Sequence, residues 1–202
     1  MTSIESVTLE VPDPAAGEAF YAAAFGLGDK VRVRTSDAPS SGFRGFALSL
    51  VVPQPSTVDS FIGTALANGA TTLKEAGKSL WGYGGVVQDP SGAIWKVATS
   101  SKKDNGEASR KVDDFVLLLG VEDVKATKQF YVDHGMTVGK SFGSKYVEFD
   151  IGSSPIKLAL YNRKTAAKDA GVSPEGSGSH RIVIASDAGP FTDPDGFAWE
   201  AA

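Results

Sequence analysis

The 202-residue chain has no cysteine and only two histidines, His134 and His180. Without cysteine there is no disulfide framework, thiolate metal site or cysteine nucleophile, and two histidines cannot form a three-histidine zinc site within one chain. Apolar residues make up 42% of the chain, yet no run approaches the roughly 18 residues that a membrane-crossing helix needs. The start, Met1-Thr2-Ser3-Ile4-Glu5, lacks the basic and apolar segments of a signal peptide, so the expected location is the cytoplasm. Positive charge is also short: 20 Lys and Arg stand against 24 Asp and Glu, a net charge of −4. That balance opposes binding to nucleic acid, which needs a basic face. The expected partner is a small molecule, with no membrane and no nucleic acid, and the acidity mildly favours a cation.

What the sequence does have is an internal repeat. Phe20-Tyr21 ends a helical stretch that follows Asp13-Pro14, and Phe130-Tyr131 follows Asp123-Val124 at the same spacing. Later in each half, Asp89-Pro90-Ser91-Gly92 is matched by Asp193-Pro194-Asp195-Gly196. Residues 101–111 between the copies are polar and carry no large apolar anchor, which marks a linker. The division is therefore 1–100, a linker at 101–111, and a shortened second copy at 112–202. Cleavage in the linker is expected to leave two folded fragments.

The alternation of Val7, Leu9 and Val11 with Thr8 and Glu10 predicts a strand, and Asp13 with Pro14 predicts the start of a helix that closes at Gly26. Residues 31–34 and 46–52 read as strands, and 56–68 as a second helix ending at Asn68-Gly69. Gly84–Gln88 and Ile94–Ala98 flank the Asp-Pro-Ser-Gly turn as a hairpin. In the second copy, strands are predicted at 115–121, 146–150, 156–161, 181–185 and 197–200, and helices at 124–132 and 164–170. The counterpart of the 56–68 helix is missing; only Asp187–Phe191 stands in its place.

This order of elements, the helix-terminal Phe-Tyr pairs and the two Asp-Pro-Ser/Asp-Gly hairpins resemble the vicinal oxygen chelate superfamily, which includes glyoxalase I, extradiol dioxygenases, fosfomycin-resistance enzymes and bleomycin-resistance proteins. The resemblance spans nearly the whole chain. It implies an α+β fold of tandem glyoxalase-like domains, built from βαβββ modules whose curved sheets form cups. Modules in this family can pair within a chain or between chains, so a homodimer is one arrangement it allows. It also implies, for members that are enzymes, His or Glu on the inward faces of the first and last strands of each module, holding a divalent metal.

The matching positions here carry few such residues. Ser6, Gly45 and Lys96 occupy them in the first copy, and Phe115 or Val116 and Lys157 occupy two in the second. His180 and Glu200 stand where ligands belong, and Asp114 lies close enough in sequence to serve as a third. No cofactor is required by the residues, a divalent metal being the one left open. His134, at a helix end before Gly135, reads as a cap. Gly176-Ser177-Gly178 is not a phosphate loop, since a strand follows it and no Lys-Ser/Thr does. Trp81 and Tyr83, set among Gly82, Gly84 and Gly85, are candidates to line a cup and stack on a ligand.

The expected pocket thus contains Trp81, Tyr83, His180 and Glu200, taking a small, partly apolar or cationic molecule beside an incomplete metal site. One alternative is a metal-dependent lyase, isomerase or dioxygenase using His180 and Glu200. Another is a ligand-free interaction or dimerisation module.

Overall fold

The computed structural model describes residues 2–202. Strand β1 (Ile4–Val11) buries Ile4, Val7, Leu9 and Val11, and a shift in its pairing between Ile4 and Ser6 lets Ile4 join the apolar face out of strict alternation. Helix α1 (Pro14–Ala24) is capped by Asp13, whose side chain accepts from Ala16 N, with Pro14 in the first turn. Strands β2 (Val31–Thr35) and β3 (Ser40–Gly42) complete the first module.

The second module is β4 (Phe46–Val51), α2 (Pro55–Ala67), β5 (Thr71–Ser79), β6 (Gly82–Gln88) and β7 (Ile94–Thr99). The third repeats it as β8 (Asp114–Val121), α3 (Val124–Asp133), β9 (Thr137–Phe142), β10 (Tyr146–Asp150) and β11 (Lys157–Asn162). In both, the first and last strands run parallel and the middle strands add antiparallel to the edge. This is a complete βαβββ unit twice over. The remainder is α4 (Arg163–Ala170), β12 (Gly176–Gly178), β13 (Ile182–Ser186), β14 (Phe191–Thr192) and β15 (Ala198–Ala201). As the sequence predicts, β13 is followed by no helix.

The sheets cross the sequence repeat. An eight-stranded sheet runs β5-β6-β7-β4-β8-β11-β10-β9, joining the second and third modules through the antiparallel β4–β8 pair. A five-stranded sheet runs β14-β15-β13-β1-β2, joining the first and last modules through β1–β13. Each sheet therefore takes strands from both 1–100 and 112–202, and both pairings form within one chain. Residues 101–111 are almost wholly exposed, but they are not free: the Gln54 side chain bonds Asn105, Gly106 and Glu107, and Arg110 lies 3.8 Å over the Phe61 ring.

One face of each sheet turns inward. Phe46, Leu48, Leu50, Trp95, Leu117 and Leu119 from the large sheet share a single core with Val7, Leu9, Ile182 and Ile184 from the small one, with α1, α2 and α3 contributing Phe20, Phe61 and Tyr131. Burial of this area is the main stabilising contribution to the fold. The opposite face of the large sheet carries the functional question.

Candidate functional site

On that opposite face the first and last strands of the two complete modules lie side by side, and one row crosses all four. Lys96 of β7 pairs with Ser49 of β4, Ser49 with Val116 of β8, and Val116 with Lys157 of β11. Lys96, Val116 and Lys157 are positions at which the family resemblance implies metal ligands, and on β4 the row passes through Ser49 instead of the expected Gly45, which precedes the strand. The row offers two ammonium groups, a hydroxyl and an isopropyl group. Such a set does not fit a divalent cation, since ammonium groups repel it and donate rather than accept.

The cup is also occupied by the chain itself. Helix α4 packs there, with Ala166, Ala167 and Ala170 against Ala47, Val86, Ile94, Leu118 and Tyr161. Asn162 caps its start, accepting from Lys164 N, and Gly171 in the left-handed conformation ends it. Small side chains let the helix sit close: a Cβ added to Gly120 would lie 2.9 Å from the Ala166 methyl, so only glycine fits beneath. Two lysines of the sheet hold the helix end. Lys74 Nζ donates to the Lys168 and Asp169 carbonyls, each at 2.7 Å, and Lys96 Nζ lies 2.6 Å from Asp169 Oδ2.

His180 and Glu200 belong to the five-stranded sheet and its margin, Asp114 to the eight-stranded one, so the three candidates are not gathered. His180 Nδ1 faces the Arg44 carbonyl at 2.6 Å and Nε2 faces the Asp195 carbonyl at 3.0 Å, while its ring stacks on Phe197 at 3.9 Å. A carbonyl oxygen stands opposite each ring nitrogen, so neither nitrogen faces open space for an ion. Glu200 lies 3.7 Å from Arg34, which also binds Glu10 at 2.6 Å. Asp114 is 2.6 Å from Lys157. Ser6 is buried in β1, Gly45 precedes β4, and Phe115 points into the core against Trp95. Among the described residues no group of three or more His, Cys, Asp or Glu has a metal-holding arrangement. His134 caps α3, its Nδ1 2.8 Å from the Phe130 carbonyl.

Trp81 is placed differently. It sits in the turn between β5 and β6 with 85% of its surface exposed, beside Leu80 at 77%. It lines a cleft of about 380 Å³ together with Tyr83, Gly84, Lys96, Ala98 and Asp169. Gly82 makes the turn possible: its φ of +141° is disfavoured for other residues, and an added Cβ would collide with the Thr99 carbonyl. Tyr83 lines the same cleft, but its hydroxyl donates to Asp59 of α2 at 2.8 Å, which pushes the phenol pKa up and fixes the ring. Thus the cleft gathers Trp81 and Tyr83, while His180 lines a separate hollow of about 370 Å³ on the five-stranded sheet. Lys74, Lys78 and Asp169 complete the first cleft. No sequence motif marks them, because they come from an edge strand and a helix more than ninety positions apart.

No family model and no curated protein matches the sequence. Solved structures do match the architecture. Glyoxalase I from Zea mays superposes with a TM-score of 0.65 at 16% identity, covering 98% of this chain and 91% of that one. The V278E mutant of the same enzyme gives 0.63 at 14% identity, with 98% and 91% covered. This chain has the glyoxalase fold. At these identities the likeness concerns the fold, and the glyoxalase fold hosts more than one chemistry, so function rests on the residues of the clefts and cups.

Proposed function

We propose that this chain is a binding protein of the glyoxalase fold, holding a small, partly apolar molecule in the cleft beside Trp81 instead of in a metal-centred cup. The observation that carries the reading is Trp81 itself, a large apolar side chain left 85% exposed at the rim of a cleft of drug-like size. The filled cup and the Lys96-Ser49-Val116-Lys157 row support it from the other side. The lyase, isomerase or dioxygenase alternative uses His180 and Glu200, with Asp114 as an optional third ligand, and these are held by the Arg44 and Asp195 carbonyls, Arg34 and Lys157 respectively.

The test is a screen of aromatic and aliphatic fragments by amide chemical-shift mapping. Bound fragments should shift residues 77–86 and 96–99, and Trp81→Ala should abolish those shifts while leaving the rest of the spectrum in place. Fragments that map elsewhere and are indifferent to Trp81→Ala would remove this assignment.

A further inference from the structure

The charge of the cleft runs against the charge of the chain. Lys74, Lys78 and Lys96 line it against Glu75 and Asp169, whereas the protein as a whole carries a net −4. In four other hollows of the molecule the acidic side chains equal or outnumber Lys and Arg. Local potential, not the total, selects what enters a cleft, so the acidity of the whole chain does not by itself favour a cationic ligand here.

The donors are only partly used. Each ammonium carries three N–H groups. Lys74 spends two on the α4 carbonyls and Lys96 one on Asp169, while Lys78 sits opposite Tyr83 in the β5–β6 pairing and shares its α2 face. The floor between them is nearly featureless: Gly84 of β6 pairs with Ala98 of β7, and Gly77 of β5 with Gly84, giving a strip with no side chain beyond a methyl group. Such a strip accepts a flat ring edge to edge, and the exposed indole of Trp81 offers that ring a stacking partner. Asp169 already supplies the chemistry in miniature, a carboxylate 2.6 Å from Lys96 Nζ.

Resting on the binding reading above, we propose that the cleft takes a flat aromatic monoanion, its ring against Trp81 and its carboxylate or equivalent group toward Lys96 and the N–H of Lys74 that α4 leaves free. Asp169 is then the resident competitor for Lys96, and its charge holds the affinity down.

Three probes sharing one ring system separate the elements of this statement: naphthoate, naphthylmethanol and naphthylmethylammonium, titrated into the full-length protein by calorimetry. Naphthoate should bind roughly two- to fivefold tighter than the alcohol, the scale of a partly exposed ion pair, and the ammonium probe weaker than both. Lys96→Gln should remove most of the preference for naphthoate without weakening the alcohol, whereas Lys78→Gln, on the opposite face beside Tyr83, should leave that preference in place. Asp169→Asn should strengthen naphthoate and leave the alcohol unchanged. Trp81→Ala should weaken all three. If the ammonium probe binds as tightly as naphthoate, or if Asp169→Asn and Lys96→Gln both leave the preference untouched, the anion assignment fails while the site stands. If no probe binds, or Trp81→Ala changes none of the affinities, the site itself is misplaced and both readings fall.

Discussion

The Tyr21 hydroxyl donates to Asp89 Oδ2 at 2.7 Å, reaching from a helix packed on the five-stranded sheet to a hairpin turn of the eight-stranded one. Its repeat runs the other way: Tyr131, on a helix of the large sheet, donates to Asp193 in a turn of the small sheet. The two motifs that mark the internal repeat are therefore the two ends of a pair of cross-ties. Asp89 also accepts from Trp95 Nε1 at 3.0 Å and from Ala93 N at 3.0 Å, which keeps its buried carboxylate fully bonded.

Removing one end of a tie should cost measurable stability. Tyr21→Phe is expected to lower the unfolding free energy in urea by about 1–3 kcal/mol, the range for a hydrogen bond to a charged group. Asp89→Ala should cost more, about 3–5 kcal/mol, because it strands the Trp95 indole without an acceptor and leaves the Tyr21 hydroxyl only Ser91 Oγ at 3.2 Å. Equal losses from the two changes would argue against this network.

Alkaline pH should loosen the same ties. Burial first, and then the neighbouring Asp, push the Tyr21 and Tyr131 phenols well above their ordinary value of 10.0. A folded-state pKa above the unfolded one means that the contribution is fully present below about pH 10 and is lost as pH rises beyond it. Melting temperature should therefore fall between about pH 10 and 11 in the wild type, and fall less steeply in Tyr21→Phe/Tyr131→Phe.

The exposed segment 101–111 should be the first site of proteolysis, but the nicked chain should not separate. Both sheets are assembled from strands on either side of the cut, so a single peak in size exclusion is expected, with two fragments appearing only in denaturant. Release of two independently folded pieces under native conditions would contradict the shared sheets.

The seat of α4 should tolerate loss of charge better than added volume. Ala167 is fully buried against the sheet, and Ala167→Leu is expected to cost about 1–3 kcal/mol by overpacking. Lys96→Met, which breaks a half-exposed ion pair with Asp169, should cost under about 1 kcal/mol. Urea denaturation of the two variants side by side decides this.

Much of the fold was legible from local patterns. The capped start of α1, the alternation in β1 and the paired hairpins follow from residue chemistry that acts over a few positions. Strands β5 and β9 were not, because Thr71–Ser79 and Thr137–Phe142 lie at the two edges of the large sheet, largely exposed, and carry no apolar alternation to announce them. The partner of each strand was equally hidden. Residues 46–51 and 114–121 read as buried, but burial does not say that they pair with each other across the linker. At the candidate site, Trp81 stood out as a large aromatic among glycines. The lysines that set the cleft's charge did not, since they become neighbours of Asp169 only when α4 is folded into the cup.

The sheet pairing is nested, the first module with the last and the second with the third, and this sets an order of assembly during synthesis. The inner pair is contiguous along the chain, so the large sheet can close as soon as β11 has left the ribosome. Strand β1 is made before that sheet, yet one of its edges has no partner until Ile182–Ser186 emerges, after the whole of the inner pair. Until then Val7 and Leu9 sit on a strand with an open edge, the kind of surface that chaperones bind and that recruits other nascent chains. A chain stopped short of residue 182 would therefore carry a finished eight-stranded sheet and an aggregation-prone strand at Ile4–Val11.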